Sequence, residues 1–516
     1  MKTNPFLLAA VLLLGFTNQY SMQHEDDARK DNVTYDTASC IQPSSEYPGY
    51  WEYKGHTVLL LGAFNHGHNP FIDGSTLDAV SVDDMSLIIA QMDEMSRAGG
   101  NLLRCVLDPG LAASRGVHSY KRDKSGKVDL DFPEGEYWER LSVFITEAEK
   151  RDVIVELEIW DRFDWQRESW EFSPFNPQNN INYTAENTNL EAAYERHEIY
   201  HRHPMALGVP GHPLYRSAGN QRKNKYDRVR KYQEVFVSKV YEIAKAHRNV
   251  LYNMNNETSE HPAWGEYWIQ YLKKLAEKEN KKIVCTNMQD AAFRLAESQE
   301  LMHQLNHPEI YDYLDISQIN SRLRDEEHWN AVKWMADQSN ETGLLLHMIK
   351  LYGNDEREPG PWRGWKPGDT DNAIEEWWRN LIAGVAGVRF HRPKSGIGLS
   401  SRSKACIGAT RKIESKVKFW NVSPSMELLS NRDVDEAYLA ADPGNEYILY
   451  FSHQGGGSVG LDLEKYTNNT FKIHWVNSNT GEWGPKTLVD GGSIQQIERP
   501  DDSAQWVAAI KKTSKG

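Results

Sequence analysis

The 516-residue sequence is poor in cysteine, with four residues that lie far apart and form no Cys-x-x-Cys pair. This scarcity excludes a disulfide framework, and it argues against a structural zinc site or a redox motif. Cys105 and Cys285 lie within apolar, strand-like runs, so we expect both to be small buried hydrophobic side chains. We predict neither a cofactor nor a metal ion.

Positive charge is also scarce, since 59 Lys and Arg oppose 73 Asp and Glu and leave a formal net charge of −14. No basic domain or stripe is present, which argues against a nucleic-acid-binding protein. The composition is that of an ordinary globular chain, and nothing in it indicates the oligomeric state.

Long apolar runs are absent except near the amino terminus, where residues 6–16 (FLLAAVLLLGF) follow Lys2. Eleven residues are too few to span a membrane, but a basic start and such a run are typical of a secretory signal peptide. We predict a signal peptide over residues 1–22, a polar flexible leader over 23–48 and no membrane span. The protein would then be exported, to the periplasm or the extracellular space. A cytosolic protein with an apolar first helix is the alternative.

Aromatic residues are abundant, with 17 Trp, 24 Tyr and 15 Phe. This Trp content exceeds what core packing usually needs, and exposed aromatic rings stack well on the apolar faces of sugars. The alternative is a large core that happens to be rich in Trp.

Short apolar runs alternate with amphipathic helical patterns from about residue 50. The candidate strands are residues 57–62, 101–107, 153–160, 250–254, 282–286, 314–319, 344–349 and 387–390. Eight strands, each followed by a helical segment, predict an α/β fold of the (β/α)8 TIM-barrel type over residues 49–429. A doubly wound sheet is disfavoured because no Gly-rich phosphate-binding loop follows the first strand.

The pattern changes at about residue 430, where short strands alternate with Gly-, Asn- and Asp-rich turns. The candidate strands are residues 437–441, 446–451, 458–463, 471–476 and 505–510. This spacing predicts a small antiparallel β-sandwich over residues 430–516.

The fourth candidate strand ends in Asn256-Glu257. Barrel enzymes carry their catalytic groups where strands end, so both side chains should lie at the catalytic rim. A carboxylic acid there can protonate a departing glycosidic oxygen, and the amide can hold a sugar hydroxyl. The alternative is that Asn256 or Thr258 caps the following helix.

The second and third strands contribute an Arg and two acidic residues. Arg104 would face the barrel interior, and a buried guanidinium needs an acidic partner, which Glu158 can supply. Alternation puts Glu158 and Trp160 on one face, with Asp161 just beyond. Glu158 is either the partner of a structural ion pair or a catalytic carboxylate, and we predict that Trp160 is a sugar platform.

Gly100-Asn101-x-x-Arg104 together with Asn256-Glu257 resembles the retaining (β/α)8 glycoside hydrolases. Residues 436–510 resemble a sandwich module, described as collagen-binding, that follows the apiosidase-like barrels of bacterial polysaccharide degraders. Residues 378–390 (WRNLIAGVAGVRF) resemble the last helix-to-strand region of those barrels. The resemblance implies that Glu257 is the acid/base and that Arg104 and Asn256 contact substrate or orient a second carboxylate.

The seventh strand departs from that family, because Lys350 stands where the nucleophilic Glu is expected. Three explanations stay open. The first is that the following loop folds back and brings Glu356 or Asp355 to the centre as the nucleophile. The second is that a third-strand carboxylate, Glu158 or Asp161, is the nucleophile. The third is that the chain uses an inverting layout, other chemistry or no catalysis. Trp362 in that loop would contact the sugar or pack over the barrel mouth.

His66 and His68 follow the first strand, and two His residues at this spacing could bind metal, but no third ligand is evident. We expect His66 to bind substrate or to be structural. Cationic rim candidates, Arg104 and Lys350 among them, would suit an acidic sugar unless they pair with nearby carboxylates.

The leading hypothesis is therefore a secreted, retaining glycoside hydrolase that cleaves a complex, acidic or branched polysaccharide or oligosaccharide. The alternative is a non-catalytic carbohydrate- or matrix-binding protein on a degenerate glycosidase barrel, and Lys350 is the residue that motivates it.

Overall fold

The computed structural model of the protein describes residues 37–66, 69–72, 85–165, 168–194, 203–355 and 367–513. The predicted signal peptide and most of the leader lie outside these ranges. No helix in the described ranges is both long and apolar enough to cross a membrane.

Eight parallel strands form the barrel that the sequence predicts. In chain order they are Leu60–Ala63, Leu102–Val106, Ile154–Asp161, Val250–Asn256, Cys285–Thr286, Tyr313–Asp315, Leu345–Leu351 and Gly387–Phe390. Strands two to five pair in sequence, and the first strand pairs with the eighth, which pairs with the seventh and then the sixth. They are called the first to eighth barrel strands below.

Two side chains at strand ends join the two halves of the barrel. Oδ1 of Asn101 accepts a hydrogen bond from Leu61 N (2.8 Å), so Asn101 links the first strand to the second. Oδ2 of Asp312 accepts one from Cys285 N (2.8 Å) and links the fifth strand to the sixth. At both places the backbone N of the same residue also donates to the neighbouring strand, to Leu61 O (2.7 Å) and Cys285 O (2.9 Å), so a short polar side chain adds to the few backbone bonds there.

Helices surround the barrel, and each amphipathic helix buries an apolar face against the strands. Their bounds are Met85–Arg97, Pro109–Ser114, Glu136–Glu149, Glu168–Phe172, Pro204–Leu207, Pro213–Arg216, Asn220–Ala244, Ala263–Glu277, Gln299–Leu305, Asp325–Thr342, Thr370–Ile382 and Ser401–Glu414. The long insertion between the third strand and the helix Asn220–Ala244 precedes the strand that carries Glu257.

The predicted first strand is divided in the structure. His56–Val58 pairs antiparallel with Trp51–Tyr53, and only Leu60–Ala63 belongs to the barrel. Trp51 is fully buried, with its ring 5.6 Å from that of His347 inside the barrel. The sequence pattern missed this division because both pieces are apolar and adjacent.

The carboxyl-terminal region is a β-sandwich, as predicted. One sheet contains Ser423–Pro424, Ala437–Asp442, Glu446–Phe451, Trp506–Lys512, Thr470–Asn477 and Trp483–Asp490 in spatial order, and the other contains Leu429–Ser430, Ser458–Asp462 and Ile494–Glu498. The first of these strands begins at Ser423, before the predicted boundary. The edge strand Trp483–Asp490 was not predicted, because it is largely exposed and lacks apolar alternation.

The larger sheet of the sandwich packs on the last barrel helices through aromatic side chains. Trp378 stacks on Tyr450 with ring centres 5.8 Å apart, and the guanidinium of Arg379 lies 5.7 Å from the ring centre of Tyr438. Trp378, Tyr438 and Tyr450 belong to one hydrophobic core with the barrel, while a second core fills the space between the two sandwich sheets. Barrel and sandwich therefore share buried apolar surface.

Most of the tryptophans serve packing. Twelve of the described Trp side chains are buried, so the high aromatic content reflects the core and the sequence-based expectation of exposed sugar platforms is wrong for them. Trp483 is an exception at 39% exposure.

Candidate functional site

Arg104 and Glu158 form a bidentate ion pair inside the barrel. Nε and Nη2 of Arg104 each lie 2.6 Å from a different oxygen of Glu158, and both side chains are buried. Such fork-to-fork pairs fix orientation as well as charge. Since both carboxylate oxygens are engaged, the geometry favours the structural interpretation of Glu158 over a catalytic one.

Asn256 connects this pair to the rim. Its Oδ1 accepts hydrogen bonds from Nη2 of Arg104 (2.9 Å) and Nζ of Lys350 (2.5 Å). Its Nδ2 donates to Oδ1 of Asp161 at 3.0 Å. Five of the residues singled out from the sequence, counting Glu158, are therefore held in one network, with the amide of Asn256 in a single orientation.

Glu257 lies at the end of the fourth strand with a φ of 53°, a left-handed conformation that is strained for a residue with a side chain. Its Oε1 is 2.8 Å from Nζ of Lys350 and accepts a longer bond from the Tyr352 hydroxyl (3.4 Å). Its Oε2 is 3.7 Å from Nη2 of Arg162. The carboxylate is thus surrounded by two cations and a phenol.

These neighbours decide the charge of Glu257. Burial raises its pKa, but the positive charges of Lys350 and Arg162 and the hydrogen bond from Lys350 outweigh burial and lower the pKa to about 2. Glu257 is therefore ionised at neutral pH in the ligand-free protein.

Lys350 occupies the inward position on the seventh strand that the sequence predicts. Burial lowers the pKa of its ammonium, against the opposing effect of Glu257. A buried ammonium needs a carboxylate partner. In the structure Glu257 is a carboxylate partner of Lys350.

Neither Asn256 nor Thr258 is the N-cap of a helix, although Thr258 caps the turn that follows it. The next helix starts at Ala263 after Pro262, and no side chain caps it. Oγ1 of Thr258 instead accepts a hydrogen bond from the backbone N of Glu260 at 3.1 Å.

The prediction that Trp160 is a sugar platform is wrong. Trp160 is 1% exposed and contacts Phe236, Trp264 and Trp268, which belong to the surrounding helices. The period of two along the third strand breaks near its end, so that Glu158 and Asp161 contact interior residues while Trp160 packs outside the barrel.

Two further predicted residues, His66 and Asp355, have other contacts in the structure. His66 is buried, with its ring centre 5.2 Å from that of Phe64. Asp355 is exposed, and its Oδ1 accepts a hydrogen bond from Thr370 N at 3.0 Å. Glu356, Trp362 and His68 lie outside the described residues. No three His, Cys, Asp or Glu side chains converge as metal ligands in the part of the chain that the structure describes.

Two site residues escaped sequence reasoning. Tyr352 contacts Glu257, and Asp290 pairs with Arg162 at 3.3 Å. Tyr352 lies two residues after Lys350, so alternation along the seventh strand could have indicated it. Asp290 follows the fifth strand, where the rule that barrel sites form at strand ends applies equally.

Asp108 and Asp164 form a second acidic group beside the site. Burial raises the pKa of Asp108 well above its ordinary value, with further contributions from Asp161 and Asp164. Burial likewise raises the pKa of Asp164 to about 7, although its carboxylate accepts hydrogen bonds from the backbone N atoms of Gly110 and Leu111. Carboxyl groups with raised pKa values therefore follow the second and third strands.

Comparison with solved structures identifies similar folds. The chain is similar to a glycoside hydrolase of family 5 from Bacteroides vulgatus ATCC 8482, with a TM-score of 0.56, 10% identity, and coverage of 92% of this chain and 93% of that chain. A second structure, described as a glycoside hydrolase, also has a TM-score of 0.56 and 10% identity, over 93% of this chain and 98% of that one. No family model and no curated protein matches. At these identities the likeness concerns the fold.

Proposed function

We propose that the protein is a glycoside hydrolase that cleaves O-glycosidic bonds of an oligosaccharide or polysaccharide at the carboxyl-terminal end of its barrel. The observation that carries this proposal is Asn256-Glu257 at the end of the fourth strand, held by Arg104 and Lys350. Barrel enzymes position their catalytic groups at this end. Proteins of similar fold are described as glycoside hydrolases.

The proposed role of Glu257 depends on its proton. Cleavage of a glycosidic bond needs a proton on the departing oxygen, whereas attack by water needs a base. With a pKa of about 2, Glu257 is ionised at neutral pH, so it is a weak base and has no proton to donate. It can act as the acid only after substrate separates it from Lys350, so we propose that bound sugar displaces the ammonium.

The second carboxylate of a retaining mechanism is proposed to be Glu356. Glu158 is a weaker candidate because Arg104 engages both its oxygens. Asp355 is exposed and bonded to the backbone at Thr370. Glu356 therefore stays the candidate nucleophile on the sequence argument.

The substrate is proposed to be neutral. Unpaired cations at the rim would favour an acidic sugar, but Arg104, Lys350 and Arg162 have carboxylate partners in the structure. Arg104 pairs with Glu158, Lys350 with Glu257, and Arg162 with Asp290 and Glu257. Paired charges attract an anionic sugar less than free ones.

The export of the protein and the role of the sandwich complete the proposal. Residues 1–22 carry the features of a signal peptide, and the resemblance to apiosidase-like proteins of polysaccharide degraders suggests that the sandwich is their non-catalytic, collagen-binding-type module. Export would be tested by fractionating cells that express the full chain.

An activity screen on plant and algal polysaccharides, and on activated aryl glycosides, tests the main proposal. The matched control is Glu257→Gln, which keeps the side-chain size and removes the ionisable group. Turnover by the wild-type protein that is lost in Glu257→Gln supports the proposal. Equal turnover by both proteins removes Glu257 from the reaction.

A non-catalytic carbohydrate-binding protein is the second candidate, and the Lys350–Glu257 ion pair favours it. An ionised carboxylate that is paired with an ammonium at the position proposed for the acid/base suits binding better than proton transfer. Binding of a glycan in the screen, without release of reducing ends from any substrate, would support this candidate.

A further inference from the structure

A cavity of about 370 Å³ lies beside Glu257, between the loops that follow the fourth and fifth barrel strands. Thr258 and Gln289 form part of its wall and are paired as a parallel bridge. Asp290 N donates to the carbonyl of Thr258 (2.8 Å), which fixes the wall. The cavity therefore starts at the residue that follows Glu257.

The most informative wall residue is Gln289. Its side chain is 1% exposed, and within the described ranges neither its amide nitrogen nor its amide oxygen has a hydrogen-bond partner. Burying an amide without partners is costly, and native proteins rarely do so. The amide thus indicates a ligand that both donates and accepts hydrogen bonds at this point, as a hydroxyl group does.

The charged residues of the wall define the ligand further. Two guanidinium groups, Arg294 and Arg322, and two carboxylates, Asp290 and Glu300, line the cavity, so their formal charges cancel. Both guanidinium groups lie near the ring of Phe293, at 5.6 and 5.0 Å from its centre. The wall offers donors and acceptors without net charge, which suits a neutral polyhydroxylated ring better than an anion.

Arg162 connects the wall of the cavity to the carboxylate of Glu257. Its Nη1 lies 2.9 Å from Oγ of Ser259 and 3.3 Å from Oδ2 of Asp290, both of which line the cavity. Its Nη2 faces Oε2 of Glu257 at 3.7 Å. A ligand in the cavity would therefore lie one side chain away from Glu257.

We infer that this cavity is a subsite for one neutral sugar ring of the substrate and that the Gln289 amide recognises a hydroxyl group of that ring. The inference rests on the proposed function for the identity of the ligand. The volume lies within the usual range of small-molecule sites.

Calorimetric titration of the full chain tests the inference. The probes are short neutral oligosaccharides of gluco, manno, galacto and xylo configuration, together with their uronate counterparts. Binding is measured in Glu257→Gln, so that no probe is hydrolysed, with and without Gln289→Leu. Turnover is measured in the wild-type background with the same substitution at Gln289.

Gln289→Leu is expected to weaken binding of a neutral probe about tenfold, because the lost hydrogen bonds leave the sugar hydroxyl unpaired. The thermal stability should not fall, since the replaced amide has no partner among the described residues. Gln233→Leu is the matched control, because Gln233 is equally buried but donates to Met205 O (2.9 Å) away from the cavity. It should leave sugar affinity unchanged.

The inference is overturned if Gln289→Leu and Gln289→Met bind the probes as tightly as the parent, if uronates bind more tightly than neutral sugars, or if no probe binds. Failure of the proposed function is distinguishable. If binding depends on Gln289 but the wild-type protein turns over no substrate, the subsite is supported and the proposed hydrolase function is refuted. If turnover depends on Glu257 but Gln289→Leu binds the probes with unchanged affinity, the hydrolase function is supported and the subsite is refuted.

Discussion

Nζ of Lys350 lies 2.8 Å from Oε1 of Glu257, and the two residues belong to barrel strands that are not neighbours. The ion pair therefore crosses the mouth of the barrel. It also places an ammonium group at the position where the sequence resemblance predicts a nucleophilic Glu. The charge state of the candidate site is set by this contact more than by any other.

Replacing Lys350 by Met is expected to raise the pKa of Glu257 from about 2 towards its ordinary value, by about one unit or more. Lys350 makes the largest favourable charge contribution to that pKa, and Arg162 remains. The pKa can be measured by NMR of the labelled carboxyl carbon. Lys333→Met, on an exposed helix face, is the control and should leave the value unchanged. An unchanged pKa in Lys350→Met would refute this account of the site.

The ion pair should also make stability depend on pH. The pKa of Glu257 is lower in the folded protein than in the unfolded chain, so its stabilising contribution is complete above about pH 4.5 and is lost as the pH falls towards about 2. The shift corresponds to about 3 kcal/mol. We expect the difference in free energy of unfolding between wild type and Glu257→Gln to be constant above pH 4.5 and to shrink below it. If the difference in free energy of unfolding does not change with pH, the neighbours of Glu257 do not lower its pKa.

Chemical rescue separates the two candidates for the nucleophile. Glu356→Ala should abolish turnover of an activated glycoside, and added azide should restore it, because a small anion can fill the space of the lost carboxylate. Glu158→Ala should reduce activity without rescue, since it leaves Arg104 unpaired rather than vacating a reactive position. The reverse result would make Glu158 the nucleophile. Full activity in both variants would end the retaining proposal.

The position of Glu257 could be predicted from the sequence because topology alone determines it. A carboxylate after the fourth strand of a parallel barrel lies at the rim whatever the details of packing. The Arg104–Glu158 pair was predictable for a similar reason, since a buried guanidinium requires a partner.

The features that the sequence did not predict depend on local geometry. The orientation of Trp160 follows from a break in strand alternation that no residue type announces. The unpartnered amide of Gln289 depends on how two loops approach each other. The choice of Glu257 as the partner of Lys350 depends on a distance across the barrel mouth.

The contact between barrel and sandwich should be essential for stability. Trp378 is fully buried against Tyr450, so Trp378→Ala is expected to lower the free energy of unfolding by about 3–5 kcal/mol. Trp483→Ala, at an exposed position, should cost about 1 kcal/mol or less. Deleting residues 423–516 should lower solubility, because it exposes the same face. A truncated barrel as soluble, stable and active as the full chain would contradict this prediction.

The buried Arg104–Glu158 pair allows a further test by a double-mutant cycle. Removing one partner leaves the other charge buried and unpaired, so Arg104→Met and Glu158→Leu should each lower the free energy of unfolding by about 3–5 kcal/mol. The double variant should be less destabilised than the sum of the two, because no unpaired charge remains at this position. The exposed pair Lys333–Asp337 is the control, and Lys333→Met should cost less than about 1 kcal/mol. Chemical denaturation of the four proteins measures the cycle. Strictly additive losses would contradict the expected dependence of Arg104 and Glu158 on each other.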